Sequence, residues 1–293
     1  MSIEGLTREL LVRYLDSWVP AALHARRATF VQVWSRAVDV EAAEAAVRVF
    51  AEFADQLRRR SATLVFVAPE LADIDSRTRA LQRELGTPAE LGVHALAGDA
   101  SRLPAALSAA RAAGAPLLVV VDTDGDVDED ALAGALRVGK PGEALVTGPL
   151  SLSRPAIGPP LSCRVDFVAG DDERRICFTT GQAGHLDAFK DALWQLDEYA
   201  GVAIRDPNDT AGRLMDIALD PPLGPLRREL AAHLASAGPR TVTELRHFAL
   251  TDTVYRASDA TKAVTAMLTS GAVTREPPHG RLGGDVLIRV RRP

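Results

Sequence analysis

Apolar positions open the chain at helical spacing. Leu6, Leu10, Leu11, Tyr14, Leu15, Trp18 and Val19 share one face, which predicts an amphipathic helix. Short apolar, β-branched runs then alternate with longer helical stretches. ATFVQV (28–33), TLVFV (63–67), GVHAL (92–96), PLLVVV (116–121) and ALVT (144–147) read as strands. Between them, 40–60, 73–85, 103–113 and 130–138 read as helices. Continuous apolar strands separated by helices suit a parallel sheet covered on both faces.

The rhythm changes after the fifth strand. RVDFVA (164–169) and RRICFT (174–179) flank the turn GDDE (170–173), which predicts an antiparallel hairpin. Five βα units ending in an edge hairpin form the layout of a Rossmann-like, class I methyltransferase-type α/β sheet. A plain doubly wound sheet without the hairpin is the competing reading. A helix over 186–199, with Phe189, Leu193, Trp194 and Leu196 as its core stripe, closes a first domain placed at 1–205. The Asp- and Pro-rich stretch 206–224 reads as a connector. Residues 225–293 carry the order of a winged helix-turn-helix domain. A helix from Pro225 stops at Gly238, and the capping box Thr241–Glu244 opens a second. Ser258 or Asp259 caps a third, ending at Gly271, and strands 272–276 and 285–290 flank the loop PPHGRLGG.

Composition changes this picture little. The 293 residues suffice for two domains, and 47% hydrophobic with 25% charged residues is ordinary globular usage. No apolar run is long enough to cross a bilayer, and MSIEGLTREL lacks a signal-peptide layout. Two cysteines are too few for a disulfide framework or a Cys-based zinc site. A cytoplasmic protein without membrane association is expected. Charge adds more. Residues 225–293 hold 11 Lys/Arg against 6 Asp/Glu, so with −5 overall the remainder carries −10. A basic tail on an acidic body suggests two tasks.

Four segments, YLDSWVPAAL (14–23), FKDALWQLDEYAG (189–201), FALTDTVYRASDATKAV (248–264) and GAVTREPP (271–278), resemble the three-Cys-motif partner (TcmP) family. The likeness spans most of the chain, with order and spacing supplying the rest. It implies a class I methyltransferase-like domain joined to a winged helix, and a functional link to a radical-SAM-type protein. In that family the first strand runs into a Gly-rich segment, and the fourth ends in Asp-Pro-aromatic-Gly. Here WSRAVD (34–39) holds no glycine, and Asp122-Thr123-Asp124-Gly125 lacks the Pro and the aromatic residue. By the same resemblance Glu70 would bond a ribose hydroxyl and Asp99 would sit by an adenine. Glycines let a cofactor approach the backbone closely, and Trp34 and Arg36 would fill that space. The S-adenosylmethionine site therefore reads as degenerate, and no cofactor is expected.

Six acids crowd into 122–130, with Asp122 at a strand's carboxyl end the candidate catalytic residue. The bland alternative is capping of the next helix. A calcium loop is excluded, because the Gly and Glu it requires are missing. GALRVGK (134–140) mimics a phosphate-binding loop, but Pro141 follows it, and it reads as a helix C-terminus. The six histidines show no metal spacing, and His185 has no evident partner. Cys163 and Cys177 read as small buried hydrophobes. In the tail, Arg256, Lys262, Arg275 and Arg281 are the candidate nucleic-acid contacts, with His279, Arg289, Arg291 and Arg292 beside them. Asp252, Asp259, Glu276 and Asp285 interrupt that patch, and a protein-binding winged helix is the alternative. The leading expectation is an accessory protein associated with nucleic acid or a radical-SAM-type partner. An active methyltransferase, or another enzyme using the same cleft through Glu70, Asp99 and Asp122, is the runner-up. A protein-binding or dimerisation module, and hence a homo-oligomer, is the third reading.

Overall fold

The computed structural model describes residues 2–71, 73–152, 159–197, 201–209 and 211–291. Helix α1 (Ile3–Ala22) starts at Ser2, whose hydroxyl accepts from Gly5 N, and buries the stripe its spacing predicts. Strand β1 (Arg27–Trp34) follows, then helices α2 (Val40–Glu52) and α3 (Ala54–Leu57), strand β2 (Ser61–Ala68), α4 (Ile74–Leu85) and β3 (Leu91–Ala97). A short 3-10 turn leads into α5 (Leu103–Ala109), β4 (Leu117–Asp122), α6 (Glu129–Val138) and β5 (Gly142–Gly148). Strands β6 (Leu161–Ala169) and β7 (Asp172–Thr180) form the expected hairpin, turning at Gly170, whose φ of 61° favours glycine. Helix α7 (Ala183–Trp194) is shorter than its pattern predicts, and Tyr199 lies outside the described residues.

Strands β1 to β5 run parallel, while β7 is antiparallel to both β5 and β6. The order β3-β2-β1-β4-β5-β7-β6 within the large sheet makes it methyltransferase-like and Rossmann-type, as the hairpin predicts. Part of the expected connector joins the sheet. Strand β8 (Ala203–Arg205) pairs with β6, and β9 (Leu214–Asp216), inside 206–224, pairs with β8, so the sheet has nine strands. Asp206, expected in an exposed linker, is 2% exposed and accepts from the backbone of Asn208 and Val254.

The C-terminal arm comprises α8 (Leu223–Ala237), β10 (Arg240–Thr241), α9 (Val242–Asp252), α10 (Ala257–Thr269), β11 (Val273–Glu276) and β12 (Leu287–Val290). Its three strands form an antiparallel sheet of order β10-β12-β11. The Thr241–Glu244 capping box is present. Helix α10 begins earlier than the sequence pattern places it: Arg256 is the N-cap, and Asp259 sits inside the first turn, accepting from Arg256 N.

One apolar core covers the α1, α2, α4 and α7 face of the sheet and continues without a break into α8, α9 and α10. A second, under α5 and α6, covers the other face. Burial of Trp18, Trp34, Trp194, Phe178 and Phe189 anchors the first, each large apolar side chain contributing about 1.5–3 kcal/mol. The arm is fastened to α7 by buried polar contacts as well. The Lys190 ammonium lies 2.6–3.1 Å from the carbonyls of Ala249, Leu250, Thr253 and Tyr255, which share its three N–H donors, and burial pulls its pKa below the ordinary lysine range. Trp194 Nε1 donates to Val254 O at 3.0 Å, and its ring stacks on Tyr255. No helix among the described residues is long and apolar enough to cross a membrane.

Candidate active-site cleft

Alternation along the strands aims one row of side chains at the α1 face of the sheet's carboxyl edge. Trp34 of β1 lies opposite Asp122 of β4, and Asp122 opposite Thr147 of β5. One row deeper lie Gln32, Val120 and Leu145. Asp122 is gripped from two sides. Arg36 Nε donates to its Oδ2 at 3.0 Å, and Arg174 Nη2 to its Oδ1 at 2.8 Å. Arg174 also reaches Asp124 Oδ1 at 2.5 Å, and Arg36 reaches Glu4 on α1 at 3.4 Å. Farther along α1, Arg8 pairs with Asp39 at 3.0 Å and with Glu41. These bridges strap the first turns of α1 across the mouth of the sheet.

The cavity left beneath the strap is about 40 Å³, floored by Leu11, Trp34, Val120 and Leu145 and rimmed by Arg8, Arg36 and Arg174. Sites for drug-sized ligands run to several hundred Å³, roughly 300–1,000. Trp34, only 1% exposed, packs on Phe66 with ring centroids 6.1 Å apart. Side chains therefore fill the place where the resemblance puts glycines. S-adenosylmethionine does not fit these residues as they stand. One atom is out of balance: Gln32 Oε1 is buried in the lining and has no hydrogen-bond partner.

The residues expected to share a site separate. Asp122 lies in the cleft, its side chain 17% exposed, as an ion-paired carboxylate. Glu70 is exposed in the turn after β2. Asp99 caps the 3-10 turn, accepting from Ser101 N at 3.0 Å and Ser101 Oγ at 2.6 Å, and those bonds hold its pKa below the usual carboxylate value. Neither Glu70 nor Asp99 lines the cleft. Of the other acids, Asp128 caps α6 through Ala131 N, while Glu129 and Asp130 sit in its first turn, so part of the cluster serves the helix. No group of three or more His, Cys, Asp or Glu among the described residues could hold a metal ion. The segment 134–140 ends α6, as expected from its Pro.

The tail requires correction. Arg256, expected on a free helix face, is 7% exposed. It is bonded to Asp259 at 2.9 and 3.1 Å, to Leu219 O at 3.1 Å and to Asp191 at 3.5 Å. Its charge is used inside the arm–body junction and is not available to a phosphate. Lys262 is half-exposed but pairs with Asp220 at 2.6 Å. Arg275 donates to the carbonyls of Pro277, Gly280 and Arg281, each at 3.0 Å, and so shapes the loop between β11 and β12. Arg281 and His279 are exposed on that loop, and Arg281 has no ion pair among the described residues. Arg292 lies outside the described residues.

Three features escape the sequence pattern. Arg174 reads only as a strand residue, and nothing in RRICFT marks it as half of a clamp. Gln32 shows as a polar residue inside the apolar run ATFVQV. Glu143, in GEALVTG, is wholly buried. It accepts from Trp18 Nε1 at 2.8 Å, Tyr14 Oη at 3.2 Å and Thr180 Oγ1, and His185 Nδ1 lies 2.8 Å away. His185 thus has a partner the sequence does not reveal, and its bond to Glu143 raises its pKa. Cys163 and Cys177 are buried and form no disulfide, and burial pushes the Cys163 thiol up to about 11.

No family model matches the chain, and no curated protein matches it. Among solved structures, the chain is similar to a protein of Haemophilus influenzae described only as a methylase candidate. The identity is 12% over 57% of this chain and 98% of that one, with a TM-score of 0.32. Similarity at that level carries no argument about this chain, and the fold assignment rests on strand order and direction.

Proposed function

We propose that this chain is an accessory protein with a methyltransferase-like body that does not bind S-adenosylmethionine, and a winged-helix arm that contacts nucleic acid. The observation that carries the first half is the double arginine clamp on Asp122 beneath α1, where the open space is about 40 Å³. The second half rests on the arm's order of three helices and a three-stranded sheet, with Arg281 and His279 exposed on the loop joining β11 and β12 and Arg291 exposed at the other end of that hairpin. Such a wing tracks phosphates without reading bases. A radical-SAM-type protein remains the partner implied by the TcmP resemblance. A gel-shift titration of the full chain with duplex DNA at two salt concentrations tests the arm. A salt-sensitive shift weakened by Arg281→Ala is expected, and no shift at low salt would remove the nucleic-acid half.

One observation favours a second reading, an enzyme acting on a small molecule in the same cleft. Gln32 Oε1 is a buried acceptor awaiting a donor, and such atoms mark ligand sites or ordered water. Loss of activity towards any identified substrate in Gln32→Leu, with stability unchanged, would promote it.

A further inference from the structure

The two edges of the parallel sheet carry opposite charge. At the carboxyl edge, the loops 35–39, 69–73, 98–99 and 123–128 hold seven Asp/Glu and a single base, Arg36. At the amino edge, the loops leading into β1 to β5 (23–27, 58–60, 86–90, 110–116 and 139–141) hold seven Arg/Lys and one acid, Glu90. Helix ends explain much of the acidic edge, since Asp39, Asp99 and Asp128 are side-chain caps. They do not explain the basic one. Helices α1, α2 and α3 have no base in their last turn, and α3, with four residues, has little dipole to complement.

The seven bases are Arg26, Arg27, Arg58, Arg59, Arg60, Arg111 and Lys140. All are exposed except Arg60, which is half-exposed. Arg58 alone has an ion pair among the described residues, to Asp55 at 3.1 Å. Backbone hydrogen bonds hold their loops in line: Ser61 N to Arg26 O, Thr29 N to Pro116 O and Lys140 N to Ala115 O, at 2.8–3.0 Å. Since β2, β1, β4 and β5 are successive neighbours, the charges form a stripe three strand spacings long, about 14 Å. Duplex DNA rises about 3.4 Å per base pair, so a stripe laid along its axis spans about four base-pair steps of the phosphate backbone.

We propose that the amino edge of the sheet is a docking surface for the phosphate backbone of duplex nucleic acid. Six of the seven bases are arginines, whose planar fork suits phosphate oxygens. None of the five loops carries Phe, Tyr or Trp, so the edge has no platform for stacking unpaired bases, and this favours a duplex over a single strand. The surface lies on the body at the edge opposite the cleft and does not rest on the arm. The body's overall negative charge conceals it, although these loops hold a single acid and the loops of the other edge seven.

Fluorescence anisotropy with a labelled duplex, read across a salt series on the full chain, tests it. Replacing Arg26, Arg27, Arg59 and Arg60 together by Ser should weaken binding at least roughly tenfold at low salt. It should also flatten the plot of log affinity against log salt by about 0.9 for each phosphate no longer neutralised. The matching fourfold Arg→Lys variant should keep most of the slope, which separates charge from fold. Arg281→Ala with Arg291→Ala probes the arm alone. A patch variant with the wild-type slope, whatever the arm variant does, overturns the proposal. So does a wild-type chain that binds heparin but not duplex at the same ionic strength, which would point to an acidic protein or polysaccharide.

Discussion

Asp122 and Glu143 stand on neighbouring strands and face the same side of the sheet, yet they are held in opposite ways. Asp122, at the carboxyl end of β4, is partly exposed and balanced by two arginines. Glu143, at the amino end of β5, is fully buried among a phenol, an indole, a hydroxyl and an imidazole. Only His185 in that set can supply a positive charge. The two surroundings have different consequences. Arginines that are themselves partly solvated give up a carboxylate at modest cost, so losing one side of the clamp should cost the fold little. A carboxylate that satisfies four donors from α1, β7 and α7 is a structural tie, because losing it leaves those donors buried and unpaired.

The largest expected effect is at the tie. Glu143→Ala should cost about 3–5 kcal/mol, the range for removing one member of a buried charged network. Urea denaturation of wild type and variant measures it, and a cost under about 1 kcal/mol would erase the contrast. At the clamp, Arg36→Ala should cost only about 1 kcal/mol by the same measurement, since the pair is partly solvated. Its effect should appear in the first turns of α1, as faster amide exchange over residues 3–8. Unchanged exchange there would mean that Arg36 is not part of a strap.

The smallest effect is a pH dependence confined to the tie. The His185 pKa is raised in the folded state by its bond to Glu143. Its contribution is therefore fully present below the ordinary value near 6.5 and is lost as pH rises through the higher folded value. The urea midpoint should fall from about pH 5.5 to about pH 8.5 by more in wild type than in His185→Gln. Equal falls would show that another group carries the dependence.

Much of this architecture is legible in the sequence. Apolar runs from ATFVQV to ALVT announce the parallel strands, and the hairpin about Gly170 gives the reversed edge that fixes the strand order. Within 206–224 the Pro and Asp residues mark turns but hide the strand among them. Here, β9 is only three residues long and finds its partner, β8, through tertiary pairing. The site is less legible than the fold. The segment after β1 shows Trp34 and Arg36 in place of glycine, but the clamp needs Arg174 from a distant hairpin, and no local pattern encodes that meeting. Arg256 fails for a related reason. Its place at a helix start suggests an exposed contact, whereas Asp259 three residues on and Asp191 of α7 draw it inward.

Under the proposed function, the cleft under α1 is closed to S-adenosylmethionine. Isothermal titration of S-adenosylmethionine into the full chain tests it most directly. The clamp on Asp122 and the burial of Trp34 predict no measurable heat of binding at millimolar donor. Saturable binding in the micromolar range, lost in Asp122→Ala, would contradict it and make the protein a methyltransferase candidate.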